Sequence, residues 1–152
     1  MRLRYRGLDP EPFQDLFALS EAELSARHIV RQAADPGSPC RVSLEDAVLG
    51  ESVLLLPFEH QSAATPYRGT GAIFVRQSAG QAYDSDVPPP VFQSRTLSLR
   101  AYDESGMMVE ADLCEGPDVA AACARLLASG KAAYIHAHYA KYGCYGAKVT
   151  RA

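Results

Sequence analysis

Two histidines, His136 and His138, are two residues apart and lie close in sequence to a cysteine, Cys144. In an extended strand the side chains of residues i and i+2 point to the same face. If the chain turns back at residues 141–143, the thiol of Cys144 reaches that face from the second strand of the hairpin. Imidazole and thiolate groups bind zinc and iron, and a histidine can also activate a neighbouring thiol as a nucleophile. His136, His138 and Cys144 are therefore candidate metal ligands, with His60 as a further one, and His138 and Cys144 are candidate catalytic residues.

Three interpretations of this histidine face remain open. His-x-His pairs are common on solvated strand faces, so we favour an exposed or hydrogen-bonded polar face and expect no metal or cofactor. A bound zinc or iron ion is the second interpretation, and a Cys144 nucleophile with His138 as its base is the third. The chain contains no glycine-flanked serine elbow and no glycine-rich phosphate loop. The sequence therefore leaves open whether the protein is an enzyme.

A second group of candidate residues is cationic. Only three of the fifteen Lys and Arg residues are lysines, and guanidinium groups suit two-bonded recognition of carboxylates and phosphates. Arg68 follows a Pro-Tyr turn, and Arg95 precedes an alternating strand. Together with Tyr134, His136 and His138, they form a candidate binding site for a small anionic molecule, which is the function that we favour. A metal-assisted or thiol-dependent enzyme and a purely structural or assembly role are the alternatives.

The elements that position these residues are mainly antiparallel hairpins. Apolar and polar residues alternate over 95–113 on both sides of a turn at Asp103–Gly106, which predicts a hairpin with Arg100 opposite Glu110. A second hairpin is predicted over 131–149, with Tyr139 and Tyr145 on its apolar face.

Other segments predict buried strands and a few helices. The short apolar runs 53–58 and 71–75 are typical of strands covered on both faces, with a bulge or a strand end near Pro57. One long helix is predicted at about 117–129, with Cys123 on its buried stripe. Shorter helices are predicted after Pro10, at the capping box Ser20–Glu23 and over Ser43–Gly50. The predicted fold is α+β, with a mainly antiparallel sheet or a small barrel of hairpins, one long helix and short N-terminal helices.

Composition excludes some classes of function. A chain of 152 residues with 47% hydrophobic residues is typical of a single domain, here residues 1–152. A net charge of -3 argues against nucleic-acid binding, and no apolar stretch approaches the length of a membrane span. The four cysteines are widely spaced and no export signal is visible, so we expect reduced thiols in the cytoplasm. The oligomeric state stays open.

Several stretches together resemble a bacterial family known as domain of unknown function 1203. The residues that carry the resemblance are Pro39–Arg41, Gly50–His60, Pro66–Arg68, Ile73–Arg76, Arg95–Arg100, Gly106–Met108, His136–His138 and Gly143–Cys144. The chain departs from the family pattern at Ala72 and Tyr139, where the family often has proline and asparagine. The resemblance implies a bacterial source and a single domain, and it brings no established activity.

Overall fold

Two antiparallel sheets form the framework of the protein, and the structure, a computed structural model, describes residues 1–152. The strands are β1 (Leu3–Arg6), β2 (Val30–Ala33), β3 (Ser52–Gln61), β4 (Gly69–Arg76), β5 (Asp84–Ser85), β6 (Thr96–Tyr102), β7 (Met108–Glu115), β8 (Tyr134–Tyr139) and β9 (Tyr145–Arg151). The α-helices are α1 (Glu11–Gln14), α2 (Glu21–Ala26) and α3 (Val119–Ala128), and 3₁₀ turns cover Asp15–Ala18, Pro90–Phe92 and Gly116–Asp118.

The larger sheet has the strand order β5-β1-β9-β8-β6-β7, and the smaller one has the order β2-β3-β4. Every pairing between these strands is antiparallel. The predicted α+β fold with mainly antiparallel pairing is therefore confirmed. Neither sheet closes on itself, so the alternative of a small barrel is wrong.

The long helix and one face of the larger sheet enclose the main core. The predicted helix is confirmed as a 3₁₀ turn followed by α3, and Cys123 lies on its fully buried stripe. Leu97 and Leu99 from β6 and Ile135 from β8 pack in the same cluster. Burial raises the pKa of the Cys123 thiol to about 12, and none of the four cysteines is paired.

None of the helices combines the length and hydrophobicity that crossing a bilayer requires.

The N-terminal helices and the smaller sheet form a second core. Phe13 and Leu24 pack against Leu54 and Ile73, and the predicted capping box is present, with the Ser20 hydroxyl accepting from the backbone N–H of Glu23. The helix predicted over Ser43–Gly50 is wrong. The backbone of Leu44 has a φ of 53°, outside the right-handed helical region, and its side chain is fully buried in the main core.

The predicted register of the β6–β7 hairpin is wrong by one residue. Arg100 lies opposite Ala111, and Leu99 lies opposite Asp112. An extra residue in β7, Val109, forms a bulge between two adjacent pairs. Because β7 is an edge strand whose apolar side chains stay exposed, such as Leu113 at 64%, burial does not determine its register.

Candidate functional site

Three histidines from the two sheets meet in the interior. The side chains of His136 and His138 on β8 share one face, as predicted, and it is the face of the larger sheet opposite the main core. His60 on β3 reaches them from the smaller sheet, with its ring centroid 5.0 Å from that of His138. One ring nitrogen from each residue lies within 4.8 Å of the other two. We call these three residues the histidine cluster.

A bulge in β3 directs His60 towards the cluster. Glu59 pairs with Thr70 and Gln61 pairs with Gly69, so His60 is an extra residue without a partner on β4. The sequence predicted a bulge or a strand end near Pro57, but Pro57 pairs regularly with Ala72 and the bulge lies at His60. A Cβ on Gly69 would lie 3.3 Å from the imidazole of His60, so glycine at that position leaves room for the ring. Bulges of this kind change the direction of a single side chain without disturbing the rest of the strand.

A second bulge, at Gly146, decides which side chains lie beside the histidines. His138 pairs with Tyr145 and Ala137 pairs with Ala147, so Gly146 is the extra residue. A Cβ on Gly146 would lie only 3.0 Å from the carbonyl oxygen of Ala137, which favours glycine there.

The Gly146 bulge reverses the predicted faces of the two residues before it, Tyr145 and Cys144. Tyr145 lies on the histidine face, 5.1 Å from His136 between ring centroids, and not in the main core as predicted. Cys144 turns to the other face, where it packs beside Tyr139. The predicted position of Cys144 next to the histidines is therefore wrong, and His138 and Cys144 do not form a base–nucleophile pair.

The histidine cluster is buried, so the favoured interpretation of a solvated polar face is also wrong. His138 is fully buried, His136 is 5% exposed and His60 is partly buried. Burial disfavours the imidazolium form and lowers the pKa of His136 to about 3 and that of His138 to about 4, while nearby positive groups such as Arg100 add to the effect. The pKa of His60 is lowered for the same reason. All three imidazoles are neutral near pH 7.

Each imidazole of the cluster has a buried ring nitrogen without a hydrogen-bond partner. These atoms are Nδ1 of His60, Nδ1 of His136 and Nε2 of His138. Nδ1 of His138 lies 3.0 Å from the carbonyl oxygen of Gly143, to which it donates. Nε2 of His138 therefore carries a free lone pair in the neutral ring. Buried polar atoms are almost always paired, so three unpaired nitrogens in one place call for a ligand or a water.

Two cations without acidic partners flank His136. Arg100 on β6 and Lys148 on β9 occupy the positions directly opposite it on the neighbouring strands. Neither forms a salt bridge, and the predicted pairing of Arg100 with Glu110 is absent. Lys148 lies 4.6 Å above the ring of Tyr134, whose hydroxyl accepts from Nε2 of Gln61 at 3.0 Å.

A cleft of about 740 Å³ opens beside the histidine cluster, within the size range of small-molecule sites. It lies between one face of the smaller sheet and the turn that joins β8 to β9, and we call it the interlayer cleft. Its lining includes residues 35–39, Arg41, Leu55, 71–72, Phe74, 94–96, Tyr139 and 141–144. Three cations line it, Arg41, Arg95 and Lys141, against one carboxylate, Asp35.

Arg41 is the least expected residue of the interlayer cleft. Its side chain is 2% exposed and forms no salt bridge. Nε donates to the carbonyl oxygen of Tyr145 at 2.7 Å, Nη1 to that of Pro39 at 2.5 Å, and Nη2 to Sγ of Cys144 at 3.0 Å. Since a guanidinium carries five N–H groups, two remain without a partner, and the charge remains without a counterion.

Arg95 and Tyr139 complete the polar part of the cleft. Both guanidinium groups lie near the ring of Tyr139, with the Cζ atoms of Arg41 and Arg95 4.9 and 5.3 Å from its centroid. The hydroxyl of Tyr139 is buried and has no hydrogen-bond partner. Arg95 also forms a salt bridge with Asp46 at 2.7 Å and donates to the carbonyl oxygen of Val91 at 2.6 Å, so its position is fixed.

The structure separates the residues that the sequence combined into one anion site. Arg95 lines the interlayer cleft, whereas His136 and His138 belong to the histidine cluster and Tyr134 borders that cluster. Arg68 is exposed and pairs with Glu59 outside the cleft. Arg41 was not among the predicted site residues, because nothing in its local sequence reveals that a guanidinium there is buried without an acid.

Comparison with known proteins gives a family and no activity. The model of the DUF1203 family, described as "Protein of unknown function", matches residues 37–151. This range includes the three residues of the histidine cluster as well as Arg41 and Arg95 of the interlayer cleft. No curated protein and no solved structure shows significant similarity to the chain.

Proposed function

Because this chain belongs to the DUF1203 family, which brings no activity with it, we propose a function from its own residues: it binds a small organic anion in the interlayer cleft. The observation that carries this proposal is the buried guanidinium of Arg41, which faces the cleft without a counterion. A buried charge that has no partner is costly, and an anion in the cleft would offset that cost.

The arrangement of the polar groups favours a carboxylate or a phosphate as the anionic group. Arg41 has two N–H groups free, and Arg95 lies on the same aromatic ring. Guanidinium groups bind such oxyanions through two parallel hydrogen bonds. The unpartnered hydroxyl of Tyr139 supplies one more donor. Arg41, Arg95 and Tyr139 together place several hydrogen-bond donors in one part of the cleft.

The rest of the lining favours an organic ligand over an inorganic ion. Leu55, Ala72 and Phe74 contribute an apolar wall from the smaller sheet. A ligand with an anionic group and an apolar part can satisfy both regions, as is usual in small-molecule sites.

Binding can be tested with inorganic phosphate, succinate and phenyl phosphate, using calorimetry and thermal melting. We expect phenyl phosphate to bind more tightly than inorganic phosphate, because only the former can contact Phe74. Arg95→Gln should weaken binding about tenfold or more, since it removes the free Nε–H of Arg95, and a hydrogen bond to a charged group contributes about 1.5–3 kcal/mol. The matched control is Arg68→Gln, which removes an ion-paired arginine outside the cleft and should leave affinity unchanged. Equal affinity in Arg95→Gln and the wild type, or no binding of any of the three anions at millimolar concentration, would contradict the proposal.

Thiol-dependent chemistry at Cys144 is the second candidate function, and the contact between Nη2 of Arg41 and Sγ of Cys144 favours it. A thiolate at Cys144 would itself balance the charge of Arg41. The two candidates differ in one measurement. If an anion occupies the cleft, phenyl phosphate should slow the alkylation of Cys144 by iodoacetamide, because both compete for the space beside Arg41. Rapid alkylation that phenyl phosphate does not slow would favour the thiol.

A further inference from the structure

We propose that His60, His136 and His138 bind a single transition-metal dication of the zinc type between the two sheets. This site goes beyond anion binding in the interlayer cleft, because none of the three histidines lines that cleft. Its ligands come from both sheets, His60 from the smaller one and His136 and His138 from the larger one. A metal bound there would join the two sheets directly.

The donor atoms select the class of metal. Only imidazole nitrogens contribute to the cluster, and no carboxylate belongs to it. Magnesium and calcium require oxygen ligands, whereas imidazole suits zinc, cobalt, nickel and copper. A set of three histidines is a known ligand set of zinc.

Two features of the histidines favour metal binding. Each has a buried nitrogen without a hydrogen-bond partner, which is available to bind a metal. In addition, Nδ1 of His138 donates to the carbonyl oxygen of Gly143, which fixes the ring and leaves Nε2 as the lone-pair donor. Histidine ligands of metals commonly donate their second ring nitrogen to a carbonyl in this way.

The separations in the cluster are close to those that a metal needs. Tetrahedral zinc with Zn–N bonds of about 2.05 Å places its nitrogen ligands about 3.4 Å apart. The nitrogens here lie within 4.8 Å of one another, so the rings would have to close by roughly 1.4 Å at most. Small rotations of the side chains provide that movement, and His60 has freedom for it because Gly69 and Gly71 present no side chains against its ring.

The fourth position of the metal would be filled by a small ligand from solution. No cysteine, aspartate or glutamate joins the cluster, and the Gly146 bulge turns Cys144 away. Because imidazole ligands carry no charge, the ion would keep its double positive charge. Arg100 and Lys148, both without acidic partners, would further favour a bound hydroxide or another small anion over neutral water.

The proposal can be tested with full-length protein without a histidine tag, stripped of metal and titrated with Zn²⁺ or Co²⁺. We expect one ion per chain, visible absorption from four-coordinate Co²⁺, and a higher melting temperature. At a Zn²⁺ concentration 100-fold above the Kd, the melting temperature should rise by roughly 5–10 °C. His60→Asn should abolish all three effects. The matched control is His28→Asn, at an exposed histidine with φ 59° that asparagine tolerates, and it should retain all three.

Two results would overturn the metal site. One is the absence of stoichiometric binding to the wild type, which would show that the cluster holds only water. The other is equal binding by wild type and His60→Asn, which would place the ion elsewhere on the surface. If His60→Asn does not fold, as judged by circular dichroism, ¹⁵N spectra of the wild-type imidazoles decide, since zinc must shift the Nε2 resonance of His138. Neither result depends on anion binding, which Arg95→Gln tests separately.

Discussion

Acidification of the metal-free protein should cost much of its stability, because it protonates the buried histidines only after unfolding. The pKa values of His136 and His138 are about 3 and about 4 in the folded protein, against about 6.5 in an unfolded chain. Below pH 6.5 the unfolded state therefore binds more protons than the folded state, so stability rises with pH and is lost as pH falls. The loss begins near the unfolded pKa and continues until the folded pKa values are reached.

The size of the loss follows from these pKa values. At pH 5 the protonation of one such imidazole stabilises the unfolded chain by RT ln(1 + 10^1.5), or about 2 kcal/mol. The folded state gains almost nothing at that pH, so the two histidines together account for about 4 kcal/mol between pH 8 and pH 5. That is a large fraction of the 5–15 kcal/mol that is typical of a domain's total stability, as an order of magnitude.

The assay is urea unfolding in the presence of EDTA at several pH values between 8 and 5. We expect His138→Gln to lose roughly half of the pH dependence, about 2 kcal/mol, whatever its stability at pH 8. A wild-type loss of less than about 1 kcal/mol over this range would refute the reasoning, as would an unchanged pH dependence in His138→Gln. In either case the histidines would have to be hydrated and able to bind protons in the folded protein.

Three further predictions concern the elements around the site. Gly146→Ala should destabilise the protein by about 1–3 kcal/mol in urea unfolding, because the new Cβ would contact the carbonyl oxygen of Ala137. The control is Gly80→Ala, where a Cβ meets no other atom, and this change should leave stability unchanged or raise it. Cys123 should react with Ellman's reagent only as fast as the protein unfolds, since it is fully buried, and rapid labelling would contradict the placement of α3. In the same assay, Leu99→Ala should lower the free energy of unfolding by about 2–5 kcal/mol and Leu113→Ala by less than about 0.5 kcal/mol, because Leu99 is buried and Leu113 is exposed. Equal losses would contradict the finding that β6 is buried and β7 is exposed.

The parts of the fold that follow from regular patterns could be predicted from the sequence. The stripe that contains Cys123 repeats with the period of a helix, and the alternation from Ile135 to Tyr139 has the period of a strand. Both patterns place side chains correctly because no irregularity interrupts them. The shared face of His136 and His138 follows from the same alternation.

How the side chains are arranged at the candidate site could not be predicted in this way, because that arrangement depends on bulges. One extra residue at Gly146 exchanges the faces of Tyr145 and Cys144, and another extra residue turns His60 into the interior. Local sequence does not determine where a bulge forms. The burial of Arg41 depends on contacts with Tyr145 and Cys144, more than a hundred residues away, so it is equally invisible in the sequence.

The outer edge of β7 has a consequence for the behaviour of the protein in concentrated solution. One side of this strand pairs with β6, and no strand of this molecule pairs with its other side, where the side chain of Leu113 is exposed. Such an edge can recruit a strand from a second molecule and start aggregation. Glu110 places a negative charge without an ion-pair partner on the same strand, whereas Asp112 forms a salt bridge with Arg125, and two copies that approached edge to edge would bring the Glu110 charges together. The unpaired carboxylate of Glu110 therefore opposes self-association at this edge.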